Sequence, residues 1–264
     1  MKKGKIFTLL TLLIVGLGTT TVSATESTKV DAIKKSGLLR VGVKQDVPNF
    51  GYLNAENNQF EGMEIDIAKK LADSLDVKVE YTPVTTQTRE PLMDNGQVDV
   101  IIATYTITEQ RQANFSISVP YYYDQIGFLV RKKSNIHTMD DLDGLTIGVA
   151  QGATTKANLK TYAEENGLTF KFVQLGSYPE LTMSLQAKRI DAFSVDKSLL
   201  SGYIHKGNRM LKDGFNTQAY GIATKKTNTD LTDFINQQLS IWQQDGSLQK
   251  IYDKFDLTPA DSTN

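Results

Sequence analysis

The chain has 264 residues, with 29 basic and 30 acidic side chains, two histidines and no cysteine. Without cysteine there is no disulfide, thiol nucleophile or cysteine-held metal, and His137 and His205 are too widely separated to suggest a histidine metal site or a triad. The near-neutral balance argues against a nucleic-acid surface or a polybasic membrane patch.

From the N-terminus, Lys2, Lys3 and Lys5 precede an apolar run over 6–18, and Val22-Ser23-Ala24 has the small-x-small form of a cleavage site. Residues 1–24 are expected to be a secretory signal peptide, since the apolar core is too short to span a bilayer. The mature protein then starts near Thr25, is exported (extracellular or periplasmic), and carries no lipidated cysteine. Without the three leader lysines, 26 basic residues face 30 acidic ones, a net charge of −4.

Strand and helix then alternate. Residues 38–43 read as a strand and 63–75 as an amphipathic helix, with Met63, Ile67, Leu71 and Leu75 on one stripe. Val77, Val79 and Tyr81 alternate like a strand, and a short helix follows to the Asn95-Gly96 turn. Next, Val98, Val100, Ile101, Ile102 and Ala103 read as a buried strand that runs into Thr104, Tyr105, Thr106 and Thr108. Thr108 has N-cap chemistry, which puts Arg111 on the first turn of the next helix. Hydroxyls, free helix amides and a guanidinium at one strand end suit a carboxylate. A capped helix with a solvated Arg is the plainer alternative.

This alternation implies an α/β protein with open, largely parallel sheets, whose ligands bind outside the carboxyl ends of the strands. About 240 mature residues fit two lobes better than one core. A half-repeat agrees: RVGVKQD (40–46) is echoed by TIGVAQG (146–152), and VDVIIAT (98–104) by IDAFSVD (190–196). On that register Thr104 and Asp196 are matching strand ends, as are Lys44 and Ala150. A cleft between the lobes would set Arg111 and the threonines against Asp196. Such a cleft fits a zwitterion, because a buried unpaired charge costs several kcal/mol. The Gln151–Thr155 turn adds amides at the start of a helix over 154–165, where Thr154 serves equally as an ordinary N-cap. Asp196 has its own alternative, a surface pair with Lys197. No GxSxG, HExxH, P-loop or GxGxxG motif is present.

The segments VGVKQDVPNFGY, EGMEIDIAKKLA, TITEQR, FSISVPYYYD, IGVAQGATT, DAFSVD and YGIATKK together resemble the polar amino-acid family of extracellular solute-binding proteins that feed ABC transporters. The resemblance covers the mature chain. It implies a two-lobed periplasmic-binding-protein fold with two open sheets joined by two hinge strands, matched here to 126–132 and 220–224. Lobe 1 would comprise 25–128 and 222–264, including helices around 236–255, and lobe 2 would comprise 129–221. It further implies that Arg111 binds the ligand carboxylate and Asp196 its ammonium, with backbone contacts near Thr106 and Thr154.

For the side chain, Arg89 with Lys44 would supply a second positive pole, and TREPLMDNG, GVAQGATTK and DAFSVDKS look most like the aspartate/glutamate-binding branch. Glutamine or asparagine is the alternative, and Arg89 pairing with Glu90 or Asp94 on the surface is the competing structure. Tyr178 and Tyr220 are candidates to reach the ligand by a hydroxyl. The expected partners are a free amino acid and a membrane permease, with no nucleic acid, no metal, no cofactor, no catalytic residue and a monomeric state. Some relatives on this fold are dehydratases or lyases, which makes an enzyme the competing class.

Overall fold

The structure is a computed structural model that describes residues 28–261, so the signal-peptide expectation lies outside the described residues. The chain opens with α1 (Lys29–Ser36) and β1 (Leu38–Val43). A small three-stranded sheet follows, made of β2 (Asp46–Val47), β3 (Gly51–Asn54) and β4 (Gln59–Glu61). Next come α2 (Met63–Ser74), β5 (Lys78–Pro83), α3 (Arg89–Asp94), β6 (Val100–Ile102), α4 (Glu109–Asn114) and β7 (Phe115–Ile117). The middle of the chain contains β8 (Tyr122–Arg131), β9 (Thr146–Ala150), α5 (Thr155–Asn166), β10 (Lys171–Leu175), α6 (Tyr178–Gln186), β11 (Ala192–Asp196), α7 (Lys197–Ser201), β12 (Asn208–Met210) and β13 (Phe215–Tyr220). It ends with β14 (Ala223–Lys225), α8 (Thr229–Gln244) and α9 (Ser247–Lys254).

Two sheets of the same design result. One runs β5-β1-β6-β14-β7, and the other runs β10-β9-β11-β8-β12 with β13 also paired to β8. In each, three parallel strands (β5, β1, β6 or β10, β9, β11) are followed by an antiparallel neighbour. The half-repeat in the sequence is thus a repeat of topology. It sets Thr104 just past the end of β6 and Asp196 at the end of β11.

The first lobe is built on the stripe the sequence predicts: Met63, Ile67, Leu71 and Leu75 are all buried, joined by Leu231, Ile235, Leu239 and Trp242 of α8. Each such side chain contributes roughly 1.5–3 kcal/mol of burial. The opposite face of that sheet packs Met93, Val98, Ile101 and Tyr105. In the second lobe Ser177 and Glu180 form a reciprocal capping box that starts α6 one residue after Ser177.

The chain changes sheet earlier than expected. Residues 126–132, matched to a hinge strand, lie within or at the end of β8, and Ile126 to Val130 pair with β11 of the second sheet. The first crossing falls instead at 118–121, between β7 and β8, while the second, at 221–222 between β13 and β14, lies within the expected 220–224. There the Ser118 N–H donates to the Ile222 carbonyl and the Tyr121 N–H to the Tyr220 carbonyl, both at 2.9 Å. Aromatic rings pack around the crossing: Tyr122 stacks on Tyr220 at 5.9 Å and meets Phe50 and Tyr252 edge-on. These tyrosines carry the alternating apolar look of a strand core, which hides a crossing in sequence.

The entry to α2 depends on Gly62, whose φ of 129° belongs to the region that side chains avoid, and where a Cβ would run into the Phe50 carbonyl. Gly62→Ala should destabilise the fold by about 3 kcal/mol, read from urea unfolding. A loss below roughly 1 kcal/mol would show that this turn relaxes freely.

Candidate functional site

The first wall starts where β6 ends. The backbone turns sharply at Thr104 (φ 46°), whose N–H donates to Glu64 at 2.5 Å. Thr106 then bridges to Tyr220 as an isolated antiparallel pair. Thr108 caps α4, its hydroxyl accepting the Arg111 N–H at 3.2 Å, as its sequence position predicts. Arg111 is buried, with its guanidinium against the Tyr105 ring at 4.2 Å. It donates to Glu90 at 3.2 Å, to the Thr106 carbonyl at 2.8 Å and, across the lobes, to the Gly152 carbonyl at 3.4 Å.

The second wall starts where β11 ends. Asp196 occupies the N-cap position of α7 without capping it. Asp124 of β8 accepts the Ser198 N–H instead, at 3.1 Å, leaving the Asp196 carboxylate for the Tyr220 hydroxyl. Asp196 is buried, which excludes the surface pair with Lys197. Thr154 heads α5 but makes no cap bond; its hydroxyl donates to Gln218 at 3.2 Å.

Between the walls lies a tight cavity of about 10 Å³. Of the predicted residues, Arg89, Thr104, Thr106, Thr154, Tyr178 and Asp196 line it; Ala153 and Thr155 of the Gln151–Thr155 turn, with Thr86 and Val195, complete it. Arg111 borders an adjoining groove with Glu90, Thr108 and Gly152. Tyr220 is not a lining residue, because its hydroxyl is turned to Asp196. Arg89 does not form the surface pair: it is 2% exposed and donates to the Ala103 and Thr104 carbonyls at 2.5 and 3.2 Å. Lys44 is also buried, but it pairs with Asp46 at 3.0 Å and lies over the Tyr178 ring at 4.9 Å, outside the cavity lining.

The lobes are in contact across this cavity. The Thr86 hydroxyl donates to the Gln151 carbonyl at 2.6 Å, and the Tyr203 hydroxyl donates to the Asp46 carbonyl. Gly152 permits the approach, since a Cβ there would stand 2.8 Å from the Thr86 carbonyl oxygen. Among the described residues no cluster of His, Asp or Glu is arranged to hold a metal ion.

Burial dominates the electrostatics. It brings Arg89 down to about 10, with the Arg111 charge adding to the effect, so Arg89 stays cationic at neutral pH. Burial also lowers Lys44, against the pull of Asp46. It pushes Glu64 up to about 7 despite donors from Tyr121 and Thr104. Asp124 and Asp196 are both raised by burial, and the Asp196 charge raises Asp124 further. Glu64 and Asp124 had no sequence signal beyond helix-start and strand acidity, because only the fold seals them from water.

The family described as bacterial extracellular solute-binding proteins, family 3, matches residues 39–258. A glutamine-binding protein of Geobacillus stearothermophilus is 38% identical over 80% of this chain and 81% of its own length. The cysteine-binding protein of Campylobacter jejuni has a crystal structure that superposes with a TM-score of 0.78 at 30% identity, covering 86% of this chain and 92% of that one. An ancestral amino-acid-binding protein described as a precursor of cyclohexadienyl dehydratase also superposes with a TM-score of 0.78, at 28% identity over 86% and 99% of the two chains.

The buried carboxyls set a pH dependence. Glu64, Asp124 and Asp196 hold protons more tightly in the folded state than unfolded, so the folded state binds the excess protons above the unfolded carboxylate range. Stability must then fall as pH rises through about 7. On the acid side Asp99 works the other way: although burial opposes its ionisation, Arg40 and Lys29 keep its pKa low. The protein without ligand should be more stable at pH 5 than at pH 8, by on the order of 2 kcal/mol in chemical unfolding. A curve that rises from pH 5 to 8 would contradict this.

Proposed function

Because the chain belongs to family 3 of the bacterial extracellular solute-binding proteins, we propose that it binds a free polar L-amino acid, glutamine first, between its two lobes and delivers it to an ABC permease in the membrane. The observation that carries this reading is the charge balance of the cleft. Lys44 is matched by Asp46 and Arg111 by Glu90, which leaves Arg89 and Asp196 of opposite sign on the cavity wall. A zwitterion with a neutral side chain adds no net charge to that arrangement. A side-chain carboxylate would add one, and Lys44, expected to help Arg89 hold it, is already paired with Asp46.

In this reading Asp196 accepts the ligand ammonium, and Tyr220 fixes the carboxylate for it. Arg111 exchanges its long 3.4 Å contact with Gly152 for the α-carboxylate, helped by Thr106 and the amides at the start of α5. Thr104 supplies backbone at the strand end. Arg89, Thr86 and Tyr178 surround the side chain. Closure about 118–121 and 221–222 takes the ligand out of water and favours the closed state by the contacts only that state makes. The protein acts as an exported monomer, and Asp196 serves as an ionised anchor; turnover of a candidate substrate would overturn that non-catalytic role.

A second reading, an acidic ligand, is favoured by one observation: the Arg89 Nε is buried without a hydrogen-bond partner. Calorimetry separates the two. Glutamine should bind near the micromolar range, about −8 kcal/mol, and at least tenfold more tightly than glutamate. Glutamate binding more tightly would reverse the assignment.

Arg111→Ala should cost about 3 kcal/mol of glutamine affinity while leaving the circular dichroism spectrum intact. Unchanged affinity would remove Arg111 from the site.

A further inference from the structure

A second concave site lies at the other end of the second lobe. Because β8 and β11 are antiparallel, Arg131 ends β8 beside the start of β11, at the far end of that strand from Asp196. Around it Arg131, Lys132, Lys133, Lys188, His205 and Lys206 line a groove of about 620 Å³, and no carboxylate is among the lining residues. Two of these groups are already engaged. Arg131 donates to the Leu185 and Ile190 carbonyls and to Asp191. His205 accepts the Gly207 N–H on Nδ1 at 3.0 Å, and its Nε2 lies 2.9 Å from the Gln186 side-chain amide nitrogen.

The four lysines are different. All are exposed, and none forms an ion pair among the described residues. Lys188 also holds a left-handed backbone position (φ 59°) in the turn after α6, where glycine or asparagine is the usual occupant. They come from three separate segments, 132–133, 188 and 206, so no basic run marks them in the sequence. In an acidic chain, four unopposed ammonium groups facing one concavity create a local field opposite to that of the whole molecule.

We propose that this groove binds a linear polyanion carrying closely spaced phosphates. The concave shape favours a chain lying along it over a flat surface. Lysines recognise phosphate as point charges without the geometric demands of a guanidinium fork, so spaced ammonium groups suit a repeating anion. The groove lies at the far end of β8 and β11 from Asp196, so the polymer and the amino acid occupy the protein together.

Binding of inorganic polyphosphate to the whole exported chain, followed by fluorescence anisotropy, tests this. Saturable binding is expected, weakening steeply between low and physiological salt as screening grows. Replacing Lys132, Lys133, Lys188 and Lys206 by Gln together should lower polyphosphate affinity at least tenfold, with the glutamine titration and the unfolding midpoint unchanged. A control with Lys34, Lys35, Lys160 and Lys250 changed to Gln should bind as the parent does. No binding by the parent, equal losses in the two variants, or capture by anionic phospholipid vesicles without capture of polyphosphate would each overturn the proposal. A failed glutamine titration in the parent would bear on the amino-acid reading alone.

Discussion

Enclosing ionised groups between two lobes costs several kcal/mol each unless every one finds an opposite charge or a full set of hydrogen bonds, and the cleft is arranged around that constraint. Arg89 meets it only in part, since its Nε is buried without a hydrogen-bond partner. Sealed from water, it is held by the Ala103 and Thr104 carbonyls, which are exposed only because β6 ends in a left-handed turn at Thr104. Lys44 and Arg111 meet the same demand with Asp46 and Glu90. Asp196 meets it with a phenol hydroxyl and a raised affinity for its proton, which makes it the group with most to gain from an incoming cation.

The repeated sheet design supplies the geometry. Parallel strands present their carboxyl ends on the same edge, so two copies of the motif facing each other bring two sets of strand ends together. The hinge tyrosines couple that arrangement to the interior. Tyr121 donates to Glu64, which accepts from Thr104 at the site, while Tyr220 reaches from β13 to Asp196. These hydrogen bonds link the crossing to both walls of the site.

Local chemistry was legible wherever one segment decides the outcome. Thr108 caps α4 and sets Arg111 on its first turn because that motif needs only consecutive residues. The α2 stripe and the ends of β6 and β11 followed for the same reason. Thr154 broke the pattern, because Gln218, distant in sequence, took its hydroxyl. The first crossing lies earlier than expected because a long strand of aromatic and aliphatic residues looks the same whether it passes between lobes or lies within one. Lys44 looked like a free cation; only the turn that brings Asp46 back onto it shows otherwise.

By itself the sequence determined the α/β alternation, the two matched halves and the residue types at their strand ends, because periodicity and capping are local properties of the chain. Tertiary structure alone decided which charges are already spent. It put Arg89 on the cavity wall, gave Lys44 to Asp46, freed Asp196 by letting Asp124 cap α7, and gathered dispersed lysines into one groove. The physical reason is that burial and charge pairing depend on distances between segments far apart in the chain.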